Sequence, residues 1–98
     1  MKEKLRVLCD SIVKVCAPTR IILYGCKTEV TSNDVREVNL LIVVKERAKE
    51  LERELYRNLE CDFAFNLLLY NEDDYTSLIS DPTSYASCIT RKGTVLYG

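Results

Sequence analysis

Five consecutive apolar residues, Leu40-Leu41-Ile42-Val43-Val44, leave this chain little choice of fold. A run so short, with no polar face, predicts a strand covered on both sides and therefore central in a sheet. A second unbroken run, Ile21-Ile22-Leu23-Tyr24, predicts a neighbouring strand that ends in a turn at Gly25. The central strand begins at Glu37 and carries two polar side chains one residue apart, Glu37 and Asn39. Residues i and i+2 of a strand share a face, so this pair should project together beside the Gly25 turn. Between the two strands, Cys26 to Arg36 is the longest connection and the loop expected to carry function. It could begin with a short helix, whose first free N–H groups would cradle an anion.

The remaining elements follow from periodicity. Leu5, Leu8, Ile12 and Val15 recur at three and four residues and predict an amphipathic helix over Lys2 to Cys16, ended by Pro18. Lys45 to Glu60 is expected to be a helix with a narrow apolar stripe of Ala48, Leu51, Leu55 and Leu59 beneath a solvated charged face. A third strand is expected over Asp62 to Tyr70, with Asp62, Ala64 and Asn66 on one face and Phe63, Phe65 and Leu67 on the other. Asn71 should cap a helix that opens with Glu72-Asp73-Asp74 and runs to Ile79. After the turn at Asp81-Pro82, Ser84 or Thr83 should cap another helix, with Tyr85, Cys88 and Ile89 facing inward and Gly93 closing it. Thr94 to Tyr97 is a short terminal strand. These elements make a small α/β (α+β) domain spanning 1–98, a mixed sheet of three to four strands flanked by about four helices.

Composition narrows the function. Fourteen Lys and Arg against fifteen Asp and Glu give a formal charge of -1, which supplies no global field for nucleic acid or an anionic membrane. No apolar run nears the roughly 20 residues of a membrane span, and Arg6, Asp10 and Lys14 interrupt any signal-peptide core, so a cytoplasmic protein is expected. The five cysteines form no Cys-x-x-Cys pair and histidine is absent, which argues against a zinc site. Cys9 and Cys16, seven residues apart on one helix face, read as small buried hydrophobes.

The stretch from Gly25 to Val44 resembles the minimal nucleotidyltransferases of the DNA polymerase β-like superfamily. Their first motif is a strand ending in Gly-Ser, and Asp-x-Asp follows about twelve residues after that Gly at the head of the next strand. Here Gly25 to Glu37 is twelve residues, and Glu37-Val38-Asn39-Leu40 stands where the family has Asp-Ile-Asp-Leu. A third family carboxylate falls on the strand after the next helix, at Asn66, and the close Arg91-Lys92-Gly93-Thr94-Val95-Leu96-Tyr97 also looks like the family's. The resemblance covers nearly the whole chain. It implies phosphate-binding positions at Gly25, Cys26 and Lys27, and Mg²⁺ and a nucleoside triphosphate held by carboxylates at positions 37, 39 and 66.

Several of these positions depart from the pattern. Cys26 stands for Ser, a weak donor for a good one, and Val30 replaces the motif's second Gly. Glu37 is one methylene longer than Asp and is the single remaining acid, because Asn39 and Asn66 are neutral. Asp34 and Asp62 are the substitutes at hand. The chemistry expected is therefore a degenerate nucleotidyltransferase, catalytically weak or inactive, that binds or regulates and holds no Mg²⁺ or nucleotide tightly. The alternatives are an active enzyme moving a nucleotide from a triphosphate to a hydroxyl, with Glu37 on the metal, and an antitoxin-type subunit that pairs with a small helical protein. A further, minor reading makes Cys26 a reactive thiol at a helix start.

Overall fold

The computed structural model describes residues 2–32 and 34–98. Met1 lies outside it, as does Asn33, which the expected functional loop includes. Eight elements follow one another: α1 (Lys2–Cys16), β1 (Arg20–Thr28), β2 (Val35–Val44), α2 (Ala48–Asn58), β3 (Ala64–Asn71), α3 (Glu72–Ile79), α4 (Tyr85–Lys92) and β4 (Thr94–Tyr97). They form a mixed sheet in the order β3-β2-β1-β4, with four helices on its faces. The run Leu40 to Val44 is indeed central: β2 pairs antiparallel with β1 and parallel with β3. All five of its residues are buried. The parallel neighbour requires a crossover, and α2 supplies it.

The two faces are covered unequally, and chain length is the reason. On one face, α1 and α2 bring Leu8, Ile12, Ala48 and Leu55 against Val38, Leu40, Ile42 and Val44. On the other, α3 and α4 bring Tyr75, Ala86 and Ile89 against Ile22, Leu41 and Val43. β2 has ten residues and is about 33 Å long. α3 and α4 have eight residues each, about 12 Å of helix, and cannot reach along it. Their face is therefore covered only over its second half, so Glu37 and Asn39 lie beyond the helices while Val38, on the opposite face, is fully buried.

Several local expectations are corrected. Gly25 does not turn the chain; β1 continues to Thr28 and pairs with β2 as a hairpin, Gly25 opposite Asn39 and Thr28 opposite Val35. Pairing across the hairpin satisfies the backbone, so no helix begins at Cys26 and no anion cradle forms there. α2 starts three residues later than expected, after Arg47 in a left-handed conformation (φ 66°). Asn71 sits at the start of α3 without capping it; its Oδ1 accepts from the N–H of Ala48, 2.9 Å away, and so caps α2. The ends of β3 and α2 meet there, and the side chain reaches the neighbouring helix's free N–H. Ser84 does cap α4, its hydroxyl accepting from the N–H of Ser87 at 3.1 Å. The inward residues of α4 are Ala86, Ser87 and Ile89, whereas Tyr85 is 62% exposed. Cys9 and Cys16 are half-buried against the core, and burial pushes the Cys16 thiol up to about 11.

Candidate functional site

The site lies on the uncovered half of the face that α3 and α4 share. Register places Gly25 opposite Asn39, Asn39 beside Asn66, and Lys27 opposite Glu37. Alternation therefore puts Gly25, Lys27, Glu37, Asn39 and Asn66 on one face, drawn from three adjacent strands. Cys26 pairs with Val38 and so belongs to the opposite face, away from the others. Of residues 26–36, expected as a functional loop, 26–28 and 35–36 belong to the hairpin's two strands, and Val30 near its tip is 98% exposed.

Within the site, the two amides bond to each other. The Asn66 side-chain N–H donates to Asn39 Oδ1 at 2.8 Å. Behind them the backbone must come close. A Cβ on Gly25 would stand 2.6 Å from Asn39 Nδ2, so only glycine leaves Asn39 its place opposite β1. Pairing shifts between Leu23 and Gly25, leaving Tyr24 as the extra residue of a bulge, a distortion that re-aims side chains beside it.

Charge at the site is nearly cancelled. Lys27 Nζ is 3.6 Å from Glu37 Oε2, and the lysine side chain is 70% exposed. Such a pair contributes at most about 1 kcal/mol, and it sets an ammonium beside the one carboxylate present. The substitute acids do not join it. Asp62 falls before β3 and pairs with Lys4 at 3.2 Å, and Asp34 lies exposed at the end of the hairpin loop.

This donor set does not fit Mg²⁺. That ion requires near-ideal octahedral coordination, usually with carboxylates, whereas here one carboxylate faces an ammonium and the Asn39 amide oxygen already accepts a hydrogen bond. Among the described residues, no three Cys, Asp or Glu come together as a metal-holding group. What the arrangement offers instead is neutral hydrogen bonding: Asn39 keeps its amide donors and Asn66 its carbonyl oxygen for a polar group lying on the open sheet.

Two aromatic side chains that sequence reasoning did not place in the site border this ledge. Tyr24 packs edge to face with Tyr85, ring centroids 6.3 Å apart at 82°. Partial burial, with Tyr85 beside it, pushes the Tyr24 phenol above its usual value. Tyr24 adjoins Gly25 in sequence and could have been read as part of the site. Tyr85 could not, because it arrives from α4. Compared with protein-family models, with curated proteins and with solved structures, the chain gives no match.

Proposed function

We propose that this chain is a nucleotidyltransferase-fold protein with a degenerate metal site, catalytically weak or inactive, that serves as a binding or regulatory module. The observation that carries the reading is the 2.8 Å bond from Asn66 to Asn39. The resemblance assigns carboxylates to both positions, and two carboxylates that close would repel unless a cation lay between them. Amides hold the same geometry without one. What supports the reading further is the strand arrangement: β2 carries Glu37 and Asn39 antiparallel to β1, and β3, parallel to β2 after a helix, brings Asn66 beside Asn39, although β1 does not end at Gly25 and forms no phosphate cradle there. The single carboxylate paired with Lys27 gives an active transferase little to work with.

The test is a transfer assay with labelled nucleoside triphosphates, Mg²⁺ or Mn²⁺, and protein, RNA and small hydroxyl acceptors. The expected result is no transfer above the level of Glu37→Ala. Transfer that Glu37→Ala abolishes would overturn the reading in favour of an active enzyme.

A further inference from the structure

The two edges of the sheet are finished differently. On the β3 side, the Tyr56 hydroxyl of α2 accepts from the outward N–H of Leu67 at 2.8 Å, and its ring stacks on Phe65 with centroids 5.6 Å apart. That side chain occupies the place an added strand would take. β4 is the last strand on the other side, and among the described residues no side chain bonds to its backbone. Val95 is 52% exposed and Tyr97 42%. Beside this open edge runs a groove of about 500 Å³ between α1 and β4, walled by Leu5, Val13, Leu96 and Tyr97. Arg6 and Asp10 also line it. Both are exposed, and among the described residues neither takes part in a salt bridge.

Opposite charges four residues apart on one helix face are self-complementary about a two-fold axis. When two such helices lie antiparallel, the Arg of each meets the Asp of the other. An antiparallel strand edge has the same symmetry. We propose that the β4 edge and the α1 groove form a two-fold interface with a second copy of this chain, β4 pairing with β4 and each Arg6 meeting the Asp10 of the other copy. β4 contributes only four residues, with a pairing irregularity after Tyr97's partner Ile21, so backbone pairing alone would be short. Leu5, Val13 and Leu96 in the groove add apolar surface to that short pairing. This inference does not depend on the proposed function.

Sedimentation equilibrium on the full chain, up to about 100 μM, tests it, since micromolar affinity is readily resolved at that concentration. The expected result is a reversible dimer. Val95→Lys, at an exposed edge position, should leave a folded monomer with an unchanged circular dichroism spectrum. Arg6→Asp and Asp10→Arg should each weaken the dimer about tenfold, because both pairs become like-charged. An equimolar mixture of those two variants should restore wild-type affinity, since one copy then offers two acids and the other two arginines. A purely structural role for either residue would give no such rescue. A chain that stays monomeric, a dimer indifferent to Val95→Lys, or a mixture no tighter than either variant alone would overturn the proposal.

Discussion

One face of the sheet holds two regions built from the same strands. Under α3 and α4, Ile22, Leu41 and Val43 are buried against Tyr75, Ala86 and Ile89. Further along the same strands and on the same face, Gly25, Lys27, Glu37, Asn39 and Asn66 lie beyond the helices. Leu41 and Asn39 are neighbours on one side of one strand, yet one is fully buried and the other is not. The difference shows that helix length, rather than strand identity, decides where this sheet can be polar. Asn39 and Asn66 find each other, and Lys27 finds Glu37.

The largest expected effect lies in the covered region. Leu41→Ala should destabilise the protein by about 3 kcal/mol, read by urea denaturation, because a fully buried leucine leaves a cavity that two short helices cannot collapse into. A loss below about 1 kcal/mol would mean that α3 and α4 pack loosely, and the contrast between the regions would fail.

Gly25→Ala, in the uncovered region, should cost about 1 to 2 kcal/mol, the usual penalty for an added methyl group without room. The obstacle is the far end of the Asn39 side chain, which can swing aside only by leaving Asn66. In an Asn39→Ala background the same change should cost clearly less, and equal costs in both backgrounds would remove the close approach as its cause.

The smallest effect sharpens the reading of the amides. Asn39→Asp combined with Asn66→Asp should destabilise by about 1 kcal/mol at neutral pH in chelator, since like charges on neighbouring strands repel. Millimolar Mn²⁺ should return the lost stability if these positions retain the frame of a metal site. A double variant as stable as wild type, or one that Mn²⁺ leaves unchanged, would count against that frame.

Much of this was legible along the chain. The central strand could be read from Leu40 to Val44 because a short run without a polar face has no other stable placement, and α1 could be read from the spacing of Leu5, Leu8 and Ile12. The three polar positions Glu37, Asn39 and Asn66 were legible for a similar reason: alternation and strand adjacency bring them to one face. Gly25 illustrates the opposite case. A glycine after an apolar run signals a turn locally, but here it sits inside a strand because the Asn39 side chain needs its space. Asn71 likewise carries a cap signal for the helix that follows it and spends the bond on α2, a helix thirteen or more residues earlier.

What the sequence determined by itself is the set of elements and the chemistry placed on each, because apolar periodicity and side-chain type act over a few residues at a time. Tertiary structure alone decided how that chemistry is spent. It put Lys27 against Glu37, Asn66 against Asn39 and Tyr56 against the β3 edge, and it left the β4 edge open. Those outcomes depend on register and on how far each helix reaches over the sheet, and both are fixed only when distant segments pack together.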